Sequence, residues 1–489
     1  MKPLARILAE GSDAQHGLKR SLGPWSLTAM GIGAIIGTGI FVLTGVASAT
    51  RAGPAITISF VVAGIVSALA ALCYAEVASK IPIAGSAYSY AYATFGEVLA
   101  WIIGWDLILE YGLGAATVSI GWSGYFVNLL QTVGITLPQS LVHSPFDPMT
   151  PGILNVPAAI IILIITALLV KGTRESGTVN AVIVAVKLCV VVFFIIIGVG
   201  HIDPANYHLP AGPQTGAGGY FPFGWGGVFG GAAFIFFAYI GFDAVSTTAE
   251  EAKNPKRDLP FGIIASLLIC TVLYIIVVIV LNGMVPFNEL NVASPVAFAV
   301  THAGLGWAAF IISLGAIAGL TTVLLVMMFG QSRIIFSMGR DNLLPGWFTA
   351  IHPRFRTPAF STIFFGILIA IAAAFTNINF VGSLTNMGTL AAFVLVSLAL
   401  PVLRKRHPEL RGGFEVPFGP YVVPILSAIA ALFLIFYLKE GSVRAWGIPL
   451  PWLGFVIWLA VGMIVYLGYG RSHSTVGADD AAVPAPTTP

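Results

Sequence analysis

The chain has 489 residues, 57% of them apolar, while Asp, Glu, Lys and Arg together make up only 9%. A soluble domain carries about 25% charged residues, so a soluble enzyme, a nucleic-acid binder and a disordered chain are excluded and a polytopic membrane protein remains. The net charge of +3 is too small to draw in nucleic acid.

Residues 1–25 hold Lys2, Arg6, Lys19 and Arg20 but no short apolar core with a cleavage site. They read as a cytoplasmic segment with no removable signal. A spanning helix needs roughly 20 mostly apolar residues. Such runs occur at 26–49, 54–80, 97–131, 154–170, 178–200, 226–249, 260–283, 305–337, 358–376, 380–402, 421–438 and 451–470. The expected fold is therefore all-α with twelve transmembrane helices. A β-barrel would show short alternating segments instead. With the N-terminus inside, every basic residue falls in a cytoplasmic segment except Arg51, Lys439, Arg444 and the intramembrane Lys187. That bias places both termini in the cytoplasm. The tail 471–489 is rich in Ala, Pro, Thr and Asp and reads as disordered.

The first span carries Gly31, Gly33, Gly37 and Gly39, with Gly37-Thr38-Gly39 near its middle. Each glycine weakens a helix by about 1 kcal/mol relative to alanine. Span two ends on Glu76 and Lys80, one turn apart, a gate or surface pair. An amphipathic stretch, Ile83–Gly96, follows it on the inside. Span three holds Asp106 and Glu110, again one turn apart. Lys187 lies near the centre of span five, too deep for its stem to reach the interface comfortably. Span six repeats the interruption of span one at Gly241, within Phe237-Ala-Tyr-Ile-Gly-Phe-Asp243. The stretch Pro286–Gly304 after span seven, on the outside, answers the one after span two.

Spans one and six open the two halves of a five-plus-five arrangement, 26–200 and 226–402, and 421–470 adds two C-terminal helices. An odd number of spans per half makes the second half inverted. Paired interrupted helices at corresponding positions point to a transporter site. Small residues that let helices approach closely are the simpler reading of either segment alone. Where a helix unwinds, free amides favour a carboxylate and free carbonyls an ammonium. Both together suit a zwitterion such as an α-amino acid.

The chain resembles the amino acid–polyamine–organocation transporters, and within them the cationic amino acid transporters and their bacterial homologues. The resemblance covers roughly 20–470. It rests on Gly37-Thr38-Gly39-Ile40-Phe41, Tyr74-Ala-Glu76, Pro82 to Tyr88 with Tyr90, and Gly104-Trp-Asp-Leu-Ile-Leu-Glu-Tyr111. Phe237 to Asp243, Lys253 to Pro260, and Arg333 with Met338 to Pro345 complete it. It implies a LeuT-like inverted repeat, the architecture by which this kind of site is generally described. It implies further that amides around Gly37, Thr38 and Gly39 hold a substrate carboxylate, and that carbonyls of Ile35, Phe237 and Ile240 hold the α-amine. Ile36, Ile40 and Ala238 share those unwound stretches. Phe237 and Tyr239 would pack on or gate the substrate, and Leu320 and Thr321 would line its side-chain pocket. In proton-coupled relatives a lysine on span five resembles a substitute for sodium, bridging spans one and eight.

Intramembrane ionisable residues are functional hypotheses by default. Lys187, Glu110, Asp243 and Asp106 are the coupling candidates, with protons as the coupling ion and no metal or cofactor. Proton-coupled import of L-amino acids is the first expectation, and exchange on the same fold the second. The walls Ile40, Phe237, Ile240 and Leu320 are apolar, so small neutral substrates compete with cationic ones. No nucleophile–base pair or filter motif supports an enzyme or a channel. The expected partners are the substrate and the cell-membrane bilayer. The chain is expected to act as a monomer, and a small membrane subunit stays open.

Overall fold

The computed structural model describes residues 22–82, 86–147, 150–172, 177–410, 412–439 and 443–474. Most of the N-terminal segment, the tail beyond 474, Arg174, Arg411 and the 83–85 part of the Pro82 motif lie outside the described residues.

The described chain is helical apart from one short hairpin, β1 (Arg444–Ala445) with β2 (Ile448–Pro449). Helix α1 (Pro24–Ile35) is followed by α2 (39–52), in which the wide turns Gly39–Leu43 and Ser48–Ala52 flank Thr44–Ala47. Then come α3 (Ile56–Lys80), the short α4 (Ser86–Thr94), α5 (Glu97–Thr132), α6 (Val156–Lys171) and α7 (Gly177–Val199). The second half begins with α8 (Gly224–Ile235), which runs into a tighter turn, Phe236–Tyr239. It continues with α9 (Pro255–Met284), the short α10 (Pro295–His302), α11 (Gly306–Arg340), α12 (Ala359–Phe375) and α13 (Ile378–Arg406). Helices α14 (Val422–Tyr437) and α15 (Leu450–Val465) close the chain.

Among the described residues, eight helical stretches are long and apolar enough to cross a membrane. This is fewer than the twelve runs of the sequence for three physical reasons. The first span is broken, so α1 has only 12 residues. Its second part, α2, joins α3 through the turn Gly53–Ala55 into one stretch, Gly39–Lys80. Helices α6, α12 and α14 are apolar but have only 16, 17 and 16 residues. At 1.5 Å per residue they span about 24–26 Å, short of a core of roughly 30 Å.

Burial sorts the helices. The stretch Gly224–Ser246 is almost wholly enclosed, while Leu450–His473 is mostly exposed. Large apolar side chains stand exposed on the outer helices, among them Ile164, Ile196, Ile371, Ile429 and Ile464. Such a girdle is untenable in water and suited to lipid. Inside it, α3 packs on α9, α5 on α11 and α6 on α12. Helix α1 packs on α9 and α7; α8 packs on α3 and α13. Helix α11 also meets α7, and α5 meets α13.

Candidate functional site

Helix α1 stops at Ile35 because Ile36 turns extended, with φ −72° and ψ 102°. The Ile36 amide closes the last turn on the Ile32 carbonyl. In a continuous helix the Gly33 carbonyl would accept the amide four residues on. Here it accepts Lys187 Nζ at 2.7 Å, and the Ile35 carbonyl accepts the Tyr274 hydroxyl at 2.9 Å. The orphaned end of α1 is thus capped by side chains from α7 and α9. A cation is favoured there because the carbonyls carry the negative end of the helix dipole.

Lys187 is fully buried. Gly319 on α11 lies against its stem: a Cβ there would come within 3.0 Å of the lysine chain. Lys187 therefore lies between α1 and α11, with Cys270 as its electrostatic neighbour.

The sixth-span interruption is built from three pieces. Helix α8 ends at Ile235, the tight turn Phe236–Tyr239 follows, and Ile240 is extended. Gly241 then takes φ +120°, a conformation that side chains disfavour. A Cβ on Gly241 would lie 2.8 Å from the Ala34 carbonyl carbon, and one on Gly39 would lie 2.2 Å from Ala238 Cα. The two interruptions thus cross, each glycine seated on the other's backbone. Asp243 accepts the Gly241 amide at 3.2 Å and stands near the Tyr111 hydroxyl.

Between the crossings, Thr38 is wholly buried and its Oγ1 has no hydrogen-bond partner among the described residues. Thr38 rests on Gly121 of α5. Val323 of α11 approaches Gly37, at 3.3 Å from the position of a Cβ. Ile36, Ile40, Ala238, Phe237 and Ile240 are all buried around this point. The Phe237 carbonyl accepts the Ile240 amide at 3.2 Å.

The hydroxyls of Tyr239 and Thr321 are engaged within the protein. The Tyr239 hydroxyl donates to the Phe60 carbonyl at 2.8 Å, so it faces α3. Thr321 donates to the Ile317 carbonyl and accepts from Trp122 Nε1 at 3.0 Å, while Leu320 is fully buried.

The carboxylates gather beside the crossing, around a void that Ala34, Ile240 and Gly241 also line. Asp106, Glu110 and Asp243 are at most 3% exposed, and Asp243 and Asp106 both act electrostatically on Glu110. Glu110 reaches Thr389 of α13, and Asp106 Oδ1 has no hydrogen-bond partner among the described residues. None of the three has an ion pair among the described residues, and Lys187 is apart from them. A 20 Å³ void borders Glu110, Asp243, Ala34, Val323 and Met327. That is room for about one water.

Glu76 is the hub of a separate cluster at the end of α3. It takes Arg404 on both oxygens at 2.6 Å, Lys80 at 2.8 Å and the Val416 amide at 2.7 Å. Burial excludes the surface-pair alternative for Glu76 and Lys80. Sequence reading missed Arg404, Tyr274, Val323 and Asn386. Asn386 donates to the carbonyls of Ala233 and Phe234 at 2.9 and 2.7 Å. The signal for it was the polar run Ser383, Thr385, Asn386 and Thr389 inside an apolar span.

A helical, lipid-girdled bundle with two crossed helix breaks and buried charge beside them defines a membrane transporter. Residues 22–471 match the family described as amino acid permease, and the chain belongs to that family within the amino acid–polyamine–organocation superfamily. It is a transporter and not an enzyme. It is 48% identical to a methylthioribose transporter of Bacillus subtilis over 97% of this chain and 98% of that protein. It is 46% identical to a branched-chain amino acid permease of the same organism, over 96% of each chain. A human protein, cationic amino acid transporter 4, is 37% identical over 83% of this chain and 62% of its own length.

Proposed function

We propose that the chain imports L-amino acids across the cell membrane by proton symport, alternating access around the crossing of the two interrupted helices. The observation that carries this is Lys187 Nζ on the Gly33 carbonyl at 2.7 Å. A protonated lysine there neutralises the broken end of α1. Loss of the proton weakens that hold and frees the end of α1 that leads into Gly37, Thr38 and Gly39. Proton binding and the shape of the substrate site are then one equilibrium. Glu110, Asp243 and Asp106 form the second group through which a proton passes, and the 20 Å³ void between Glu110 and Asp243 supports a bridging water.

The twelve-span, five-plus-five inverted reading is supported by the packing. Replacing each helix by its counterpart in the other half turns α1 with α9 into α8 with α3, and α1 with α7 into α8 with α13. It turns α11 with α7 into α5 with α13, and returns α3 with α9, α5 with α11 and α6 with α12 to themselves. The basic residues support cytoplasmic termini. A cavity of 360 Å³ near Val42, Ile120, His143 and Asn291 supports entry from the opposite, outer side. One copy of the chain carries the whole crossing, so a single copy suffices to bind and move substrate.

The hydroxyl of Thr38 and the amides beside it receive the substrate carboxylate. The walls Ile40, Phe237, Ile240 and Val323 favour a small or branched neutral side chain, in keeping with the relative named a branched-chain amino acid permease. The relative named a methylthioribose transporter favours a second reading, a neutral sugar-like solute in the same site. Proteoliposomes with an inward proton gradient test both. Labelled alanine or leucine should accumulate, and Lys187→Ala should abolish the pH-driven part while leaving some binding. Full gradient-driven uptake by Lys187→Ala would overturn the coupling. Displacement of the label by leucine, arginine or methylthioribose ranks the substrates.

A further inference from the structure

The two helices that break are of equal length: α1 and α8 each have 12 residues. In α1 the carbonyl third from the end, Gly33, is taken by a side chain of α7. In α8 the carbonyl third from the end, Ala233, is taken by a side chain of α13, together with the carbonyl of Phe234. The first donor is Lys187 and the second is Asn386. Helices α7 and α13 are the last members of the two halves, so the donors are counterparts under the inverted repeat. Neighbouring contacts follow the same rule. The stem of Lys187 lies against Gly319 of α11, and α13 meets α5, the counterpart of α11, where Thr389 and Gly388 lie beside Glu110 and Asp106.

We infer that Asn386 is a positioning residue that holds the end of α8, and with it the sixth-span interruption, as Lys187 holds the end of α1. This rests on the five-plus-five reading above. Chemistry separates the two holds. Asn386 is fully buried and offers two N–H donors that no pH change removes. Both point at carbonyls that the break has orphaned, and each orphaned carbonyl is costly without a donor. The amide oxygen of Asn386 has no hydrogen-bond partner among the described residues. An apolar side chain would avoid that unpaired oxygen, so the residue acts here through its donors. One half-helix is therefore fixed by a permanent neutral donor and the other by a titratable one. This makes α1 the half-helix that loss of a proton can release and α8 its fixed partner. The segment so held, Phe236–Tyr239, contains the aromatic expected to pack on substrate, Phe237.

Amide hydrogen exchange on the full chain in detergent, with neither substrate nor ion gradient, tests the assignment. Asn386→Leu should speed exchange across residues 233–242 by at least about tenfold, the scale expected when one or two hydrogen bonds cease to oppose local opening. Residues 33–41 should stay as in the wild type. Lys187→Met should do the reverse. Asn386→Asp at acid pH, where a protonated carboxyl restores one donor, should recover part of the protection that leucine loses. Unchanged exchange at 233–242 in Asn386→Leu would overturn the assignment. So would equal loosening of both breaks, or an Asn386→Asp protein as loose as Asn386→Leu at acid pH. Should Asn386→Leu fail to fold, Asn386→Asp against the wild type carries the comparison. Because no transport is measured, failed proton-driven uptake would sink the symport reading and leave this result standing.

Discussion

At Gly39 one added carbon decides whether the two interrupted helices can meet. A Cβ would lie 2.2 Å from Ala238 Cα, a backbone atom that cannot swing aside, whereas at Gly37 it would meet a Val323 methyl at 3.3 Å. Overpacking of this kind costs about 1–3 kcal/mol. Gly39→Ala should therefore lower the melting temperature in detergent clearly more than Gly37→Ala, and should lose uptake entirely. Equal melting temperatures for the two variants would remove the crossing from the argument. The glycines were legible because backbone approach and positive φ demand that residue type, and only glycine meets them cheaply. The partners of the breaks were not. Nothing in the sequence near Ile35 announces Tyr274, whose hydroxyl occupies its carbonyl. Nothing near Tyr239 announces that its hydroxyl turns to Phe60.

An element is fixed by where its ends are fastened, and the Lys80 end of α3 shows how. Glu76 is fully buried, and Arg404, Lys80 and the Val416 amide all converge on it. The cluster fastens α3 to α13 and to the segment after it. Removing Arg404 leaves the carboxylate with one cation. Breaking a buried pair typically costs 3–5 kcal/mol, and with the Arg404 side chain 18% exposed the lower end applies, about 3 kcal/mol. Arg404→Met should show that loss in thermal unfolding, and adding Glu76→Gln should recover part of it. A double variant no more stable than Arg404→Met would mean that the arginine acts through packing alone. The pairing of Glu76 with Lys80 was readable because a helix sets neighbours one turn apart. Arg404 was unreadable because it joins only when α13 packs on α3. The interruption of span six was readable from Gly241, and its fastening by Asn386 was not, for the same reason.

At the scale of the whole molecule, the proposed orientation rests on the distribution of basic residues along the chain. The long apolar helices were legible because lipid imposes long apolar runs on the sequence itself. Which runs break, and which are as short as α6, α12 and α14, depends on caps and neighbours that hydropathy does not register. The orientation has a direct test on a background in which Cys73, Cys189 and Cys270 are replaced. Gln139 lies in the exposed loop after α5, and Glu409 is an exposed residue after α13. If both termini are cytoplasmic, Gln139→Cys faces outward and Glu409→Cys inward. A membrane-impermeant maleimide should then label Gln139→Cys in intact cells, and Glu409→Cys only after permeabilisation. On the twelve-span reading three spans precede the first site and ten precede the second, so the opposite pattern would invert the topology. Labelling of both sites from outside would break the span count between them. The second half would then no longer be inverted, and the correspondence of Lys187 with Asn386 would lose its geometric ground.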